Sequence, residues 1–304
     1  MWIFSKTNAW AVGEIYLNDS TGQINMSDEY NASRWNGITW SLMKIPTASY
    51  GGTIDNSSIY TIFAFGENDI WTFSIGGSYL HWNGTTWTTQ FVAEHSGGGN
   101  KLWGTSSSNL FLVGTDGSTS RYNGSVWIKM TSNTTVDLQD IYGIDATHIW
   151  ATGTTISDGH CVVLQCNGTS WTTLYDSNTQ PDQSKYQFGT VWTNTSSSIY
   201  LDGGSGTHIL ALNNLDFGLQ IKTGLTYVGS CIRAVNQNDI FDVSIGGEVA
   251  HYNGSSWHFY TEFQSLNGGN AWWTSVFLTG DMVVIGGWFT TALNGFPVVN
   301  RGYR

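Results

Sequence analysis

The chain is poor in charge. Charged residues make up 11% of its 304 residues, against about 25% in an average soluble protein. Lys and Arg number 11 and Asp and Glu 22, a formal net charge of −11. So few bases leave no footprint for a phosphate backbone, which excludes nucleic acid as a partner. No run of ~18 apolar residues occurs, so no transmembrane helix and no membrane insertion is expected. Cysteine is scarce: Cys161, Cys166 and Cys231 are an odd, small set and not a disulfide framework. Cys161 and Cys166 fall on one apparent strand with side chains on opposite faces, ~16 Å apart, and cannot bridge. All three read as buried free thiols. No Cys/His spacing suits a metal, and no cofactor is expected. The start, Met1-Trp2-Ile3-Phe4, lacks the basic region and longer apolar stretch of a secretory signal. Either the chain is cytoplasmic, or it is a mature or trimmed segment.

What the chain does have is aromatics (14%, with 16 Trp), Gly, Ser, Thr and Asn. The aromatics exclude a disordered chain, and the mixture suits short strands and tight turns. One cassette recurs: RWNGITW (34–40), HWNGTTW (81–87), RYNGSVW (121–127), QCNGTSW (165–171) and HYNGSSW (251–257), with weaker copies ALNNLDF (211–217) and TALNGF (291–296). Its Asn residues, Asn36, Asn83, Asn123, Asn167, Asn213, Asn253 and Asn294, lie 40–47 residues apart. A second apolar-aromatic cassette ending in Gly precedes each, as in TNAWAVG (7–13) and SNLFLVG (108–114), and a third apolar run comes before that. Each unit therefore reads as four strands, with Asn-Gly in a type I′ turn between the last two. Seven such units predict an all-β, seven-bladed β-propeller with four antiparallel strands per blade. The blades fall at approximately 1–47, 58–95, 100–133, 137–178, 186–225, 228–264 and 270–304 of one domain. The last outer strand is expected near 297–304, with no clasp shared between the termini. The cassette tryptophans Trp40, Trp87, Trp127, Trp171 and Trp257 are read as wedges between blades.

ENDIWTFSIGGSYLHWNGTTW and QNDIFDVSIGGEVAHYNGSSW resemble the blades of a broad group of bacterial and environmental extracellular propellers, S-x-x-D-[IV]-W-A-V-G … I-L-H-Y-N-G-x-x-W. VVIGGWFTTALNGFPVVNRGYR (283–304) is similar to a different repeat class, GG-x-F-T-T-x-N-G-x-x-x-x-R, also thought to form propellers. A looser similarity reaches secreted propeller lectins with Y-x-x-W-x-G-x-x-W blades. The spacing differs there, so no sugar site carries over. The resemblance implies a propeller and leaves function open, because propellers host unrelated activities.

No specific active site is legible. SGGGN (96–100) and GGSGT (203–207) lack the Gly-Lys-Ser/Thr of a phosphate loop. Glu14, Asp19, Asp28 and Glu29 cluster in one insertion but lack a calcium-loop spacing, and are read as solvated charges. Arg34, His81, Arg121, Gln165 and His251 share one position, two before the cassette Asn. A repeated polar position is either one ligand site per blade, or a repeated structural hydrogen bond, or a cation over the neighbouring Trp. Ten Asn-x-Ser/Thr sequons occur, at Asn18, Asn25, Asn31, Asn56, Asn83, Asn123, Asn133, Asn167, Asn194 and Asn253. If used, they place the chain outside the cell. Four of them are the hairpin Asn itself, so glycans would crowd one face of the propeller. The longer insertions, 14–33, 43–58, 91–100, 174–186 and 259–270, fall on the other, where a partner is expected.

These features favour a non-enzymatic extracellular or cell-surface interaction or structural module, with protein partners or self-assembly as a glycosylated surface or filament subunit. A carbohydrate-binding lectin is the alternative, with glycans as partners. An enzyme would need convergent carboxylates, and Asp140 or Asp242 found buried and paired would favour that reading.

Overall fold

The computed structural model describes residues 1–303 except 22, 24, 26, 96–97, 156, 181–186, 204–205, 222–228, 267–268 and 291–294. The chain divides into two compact units, Met1–Thr131 and Ser132–Arg304. The first unit holds three sheets in which four strands follow one another antiparallel. Blade 1 comprises Trp2–Ser5, Asn8–Ile15, Tyr30–Trp35 and Trp40–Met43. Blade 2 comprises Ile59–Gly66, Asp69–Ser74, Ser78–Trp82 and Trp87–Phe91. Blade 3 comprises Gly99–Ser106, Asn109–Gly114, Thr119–Tyr122 and Trp127–Met130. A small extra hairpin, Thr47–Ala48 with Ile54–Asp55, sits in the connection from blade 1 to blade 2.

The second unit repeats the form three times. Blade 4 is Leu138–Asp145, His148–Thr154, Cys161–Cys166 and Trp171–Asp176. Blade 5 is Phe188–Trp192, Ser198–Gly203, Gly206–Ala211 and Asp216–Ile221. Blade 6 is Gly229–Asn236, Asp239–Ser244, Val249–Tyr252 and Trp257–Phe259. The expected seventh blade is not of this kind, and the blade count is corrected to six. The chain ends in a sheet of three long strands, Gly269–Thr279, Met282–Thr290 and Gly295–Tyr303, with a two-residue strand, Ser265–Leu266, on its other edge. Thr290 pairs with Gly295 and Met282 with Tyr303. The segment expected to be an outer fourth strand is therefore the third. Strands of nine to eleven residues consume the length from which a fourth would be made. Asn294, expected at a strand three–four hairpin, lies outside the described residues.

The Asn-Gly cassette also closes differently from a two-residue type I′ turn. Trp82 pairs with Trp87, leaving four residues between them, and the same holds for Trp35 with Trp40 and Tyr122 with Trp127. Only the Gly takes positive φ, near +94° at Gly84 and Gly124. The Asn works through its side chain: Asn83 Oδ1 accepts the amides of Thr85 (3.0 Å) and Thr86 (2.9 Å). Asn123, Asn167 and Asn253 do the same. This satisfies the loop's own donors locally. The Gly then packs on the strand one–two turn of its blade. A Cβ at Gly124 would lie 2.8 Å from Ser108 Cβ.

Apolar clusters join consecutive blades within each unit. Trp10, Ile59, Ile62 and Leu80 bury together between blades 1 and 2, and Trp71, Phe73, Leu102 and Trp127 between blades 2 and 3. Trp150, Tyr175, Phe188 and Leu201 join blades 4 and 5, and Trp192, Ile232 and Ile240 join blades 5 and 6. The cassette Trp87 packs edge-on to Trp10, 5.6 Å between ring centres, and Trp127 lies 6.0 Å from Tyr79. Trp40 stays exposed, against Trp35 of its own blade. Cys161, Cys166 and Cys231 are buried and free.

Gly124→Ala places a Cβ in the left-handed region and against Ser108, and is expected to cost about 1–2 kcal/mol. Gly13→Ala, with open space around its Cβ, should stay within about 0.5 kcal/mol of the parent. Urea unfolding midpoints of the two variants check this.

Candidate functional site

The repeated polar position is built by strand pairing. Residues i and i+2 of a strand share a face. In the second strands, Asn8/Trp10, Asp69/Trp71, Asn109/Phe111 and Asp239/Phe241 are such pairs. Across from the aromatics lie Arg34, His81, Arg121 and His251. His81 stacks on Trp71 at 4.1 Å and His251 on Phe241 at 4.0 Å. Arg34 and Arg121 sit over Trp10 and Phe111 at 5.4 and 5.5 Å. The polar end of each then reaches the Asx residue. His81 and His251 Nε2 lie 2.9 Å from Asp69 and Asp239 Oδ1, and Arg121 Nε donates to Asn109 Oδ1 at 2.8 Å. Arg34 Nε reaches Asn8 Oδ1 at 3.4 Å. Gln165 lies opposite Trp150 in blade 4, where the Asx position is His148, which turns to Asp145. These residues stand one to a blade.

The ten sequon asparagines divide by environment. Asn83, Asn123, Asn167 and Asn253 are exposed at the hairpins, as are Asn18, Asn133 and Asn194 elsewhere. Asn25 is half-buried, and half-buried Asn56 donates to the Glu29 carbonyl at 2.8 Å. Asn31 is fully buried, and its Nδ2 donates to the carbonyls of Ile45, Asn56 and Ser57. That nitrogen has no room for a glycan.

The acidic insertion is dispersed among local partners. Asp19 accepts the amides of Thr21 and Gln23, Asp28 pairs with Lys44, and Glu29 accepts the Ser58 hydroxyl. Tyr16 donates to Glu14 at 2.7 Å, and this bond pushes the phenol's pKa up to about 12. Among the described residues, no group of three or more His, Cys, Asp or Glu is arranged to hold a metal ion. Of the glycine-rich runs, residues 96–97 and 204–205 lie outside the described residues.

The carboxylates of the second unit are placed differently. Asp140, on the first strand of blade 4, is buried and makes a bidentate pair with Arg233 on the first strand of blade 6 (2.8 and 2.9 Å). Between them, in blade 5, the Thr190 hydroxyl and the Val191 amide also donate to Asp140 Oδ2 (2.7 and 3.0 Å). Burial alone would lower the Arg233 pKa, but the Asp140 carboxylate outweighs it and holds the guanidinium above its ordinary value. Asp202 and Asp242, on the second strands of blades 5 and 6, are fully buried. In the first unit His95 is buried between Ser120 and Ser118 (3.0 and 3.2 Å), and burial pushes its pKa down to about 4.

One apolar surface stands out in the first unit. Tyr50 is 86% exposed at the tip of the extra hairpin, with Ile54 at 64% on its return strand. Ile75, 50% exposed, occupies the strand two–three turn of blade 2, whose Gly76 lies against Ser49. Tyr50 meets Phe91 edge-on at 5.8 Å. The hairpin is anchored at its base: Thr47 and Ala48 are buried, and the Ala48 amide donates to Ser78 Oγ at 3.1 Å. The run Tyr50-Gly51-Gly52 is a turn signal between strand residues, legible in the sequence but not read as a hairpin.

No family model matches the chain, and no curated protein is similar to it. Solved structures share its fold. YCF48 bound to a D1 peptide aligns with TM-score 0.67 and 10% identity over 98% of this chain and 90% of that one. The β-propeller domain of Cps50 (Swd1) from Myceliophteria thermophila aligns with TM-score 0.59 and 10% identity over 83% and 88%. Regucalcin, a calcium-binding protein from Agrobacterium tumefaciens, aligns with TM-score 0.52 and 12% identity over 75% and 81%. The likeness is one of fold. The chain is an all-β propeller with repeated four-stranded blades.

Two outcomes follow from this geometry. Asp140→Ala leaves Arg233 buried without its carboxylate and should cost about 3–5 kcal/mol. In a double-mutant cycle with Arg233→Met, the second substitution should recover part of that loss. The unfolded chain protonates His95 near pH 6.5, which the folded chain resists down to about 4. The stability held by neutral His95 is thus complete above pH 6.5 and is lost as pH falls toward 4, by up to about 3 kcal/mol. His95→Gln should flatten that slope in urea titrations.

Proposed function

We propose that this chain is a non-enzymatic protein-interaction module that works outside the cell. It carries glycans on the blade ends that bear the Asn-Gly hairpins and docks a protein partner at the opposite ends. The observation that carries the reading is the anchored hairpin that displays Tyr50 and Ile54 beside Ile75. Exposed apolar groups gathered on a rigid support mark an interaction surface, and a central Tyr is a frequent hot spot. The hairpin lies in insertion 43–58 and Ile75 in a strand two–three turn, which puts both at the blade ends away from Asn83 and Asn123. That YCF48, a propeller of like fold, was solved with a D1 peptide is consistent with a peptide or protein partner. Asp140 and Asp242 are buried and partnered, the arrangement set out above as favouring an enzyme, and the non-enzymatic part rests instead on how these carboxylates are closed off. Asp140 is occupied by Arg233 and Thr190, and Asp202 and Asp242 are closed to solvent. A substrate reaches none of them directly.

A photo-crosslinking side chain at position 50 of the natively expressed protein should capture a protein partner or a second copy. Tyr50→Ser with Ile75→Ser should then weaken that association by roughly thirtyfold or more without moving the melting temperature. Glycopeptide mapping from the native source should find sugar at Asn83, Asn123, Asn167 or Asn253 and none at Asn31. Crosslinking to nothing, together with binding to immobilised glycans that free sugar competes away, would replace this reading with a lectin. Unmodified sequons would remove the extracellular part of it.

A further inference from the structure

The second unit contains two carboxyl groups that the interaction surface does not use. Asp202 lies near the end of the second strand of blade 5, and Asp242 at the middle of the second strand of blade 6. Both are fully buried. The Thr207 hydroxyl, from the third strand of blade 5, donates to Asp242 Oδ2 at 2.9 Å. The other three carboxyl oxygens, Asp202 Oδ1 and Oδ2 and Asp242 Oδ1, are buried without a protein hydrogen-bond donor in good geometry. Asp202 pairs across the strands with Thr207, the residue whose hydroxyl bonds Asp242, and this brings the two carboxyls together. The backbone is shaped to let Asp202 in: a Cβ on Gly229, the first residue of blade 6, would fall 1.0 Å from Asp202 Oδ2.

The titratable groups facing the pair do not neutralise it. Glu248, at the start of the third strand region of blade 6, acts on Asp202, and Cys231, on the first strand of blade 6, acts on Asp242; both favour the protonated acid. His208, next to Thr207, faces Phe188 edge-on. Arg233 is committed to Asp140. The Gly203 amide and the Thr207 hydroxyl favour the Asp202 carboxylate but carry no charge, and two buried carboxylates side by side, with no cation beside them among the described residues, do not both stay charged.

We propose that Asp202 and Asp242 share a proton, and that this acid–carboxylate bridge clamps blade 5 to blade 6 as a pH-sensitive clasp. Its direction follows from linkage. Burial raises Asp202 to about 7 and Asp242 well above the ordinary 3.8. A raised carboxyl gives stability that is complete below the unfolded value and is lost as pH rises through the folded one. With both carboxyls raised, the folded chain keeps a proton near pH 7 that the unfolded chain has released. His208, lowered to about 4 by burial, acts in the opposite sense and at lower pH.

The test is hydrogen exchange of the full chain, read by mass spectrometry at Ile199–Asp202 and Ile240–Val243 and corrected for intrinsic rates. The opening constant of these strands should rise severalfold from pH 7 to 8, with about tenfold the limit for one proton. Asp242→Asn supplies a permanent N–H donor to Asp202 and should reduce the change to below about twofold, as should Asp202→Asn. Should neither variant fold, the infrared spectrum of the unsubstituted protein decides. A protonated-carboxyl stretch present at pH 7 and lost on raising the pH supports the bridge. Flat exchange between pH 7 and 8, an unchanged slope in Asp242→Asn, or no protonated-carboxyl band overturns it.

Discussion

The first strand of each blade is hydrogen-bonded along one edge only. Its other edge presents backbone amides that must find acceptors as the next blade packs on. The same answer recurs at one position, the residue just past the bulge in that strand. Thr61 of blade 2 accepts the Leu102 amide of blade 3, Asp140 of blade 4 that of Val191, and Thr190 of blade 5 that of Ile232. A short side chain with an acceptor oxygen is enough. Where that side chain is Asp instead of Thr, a buried charge comes with it, and a cation must follow. Arg233 supplies it from the strand position where blades 2 to 5 carry Phe63, Trp103, Tyr142 and Trp192. It keeps some of the lost aromatic contact by lying over Tyr142 at 5.4 Å.

The same economy separates two kinds of polar group. The repeated stacks of His81, Arg121 and His251 are half-buried and keep water on one side, so their polar contacts are cheap and individually weak. The inner groups, Asp140 with Arg233 and Asp202 with Asp242, are withdrawn from water and are costly unless fully matched. Arg233 neutralises one inner carboxylate, and among the described residues no ion pair reaches the other two. A proton is the remaining cation that fits between them.

What the sequence reveals follows from how local each feature is. The Asn-Gly-x-x-Trp hairpin is contained in seven residues, so blades 1 to 4 and 6 are visible in the chain alone. The Asn-side-chain closure, in place of a type I′ turn, is equally local, but it depends on whether Oδ1 or φ does the work. The pairing of Asn109 or Asp69 with the repeated polar residue is also legible, because an Asx two residues before an aromatic shares its face. The last sheet misleads because TALNGF imitates the cassette while its flanking strands run too long for a blade. Asp140 and Arg233 lie in different repeats with a whole blade between them, and no spacing rule connects such residues.

The surface around Tyr50 belongs to this logic by contrast. The seams between blades of the first unit take up many apolar side chains, and leaving a Tyr and two Ile in water forgoes a gain of about 25 cal/mol per Å². A slack loop could have folded them away. Instead Thr47 is buried, its hydroxyl bonds Asp55, the Ala48 amide bonds Ser78, and the Thr89 hydroxyl bonds the Pro46 carbonyl. These contacts order the hairpin before any partner arrives, so its conformational entropy is not charged against binding. The extra hairpin is thus an addition to the repeat that the seam packing does not require, and a pre-ordered apolar tip is the form a docking element takes. Because it lies in the first unit and the carboxyl clasp in the second, substitutions at Tyr50 and at Asp242 separate recognition from pH response within one chain.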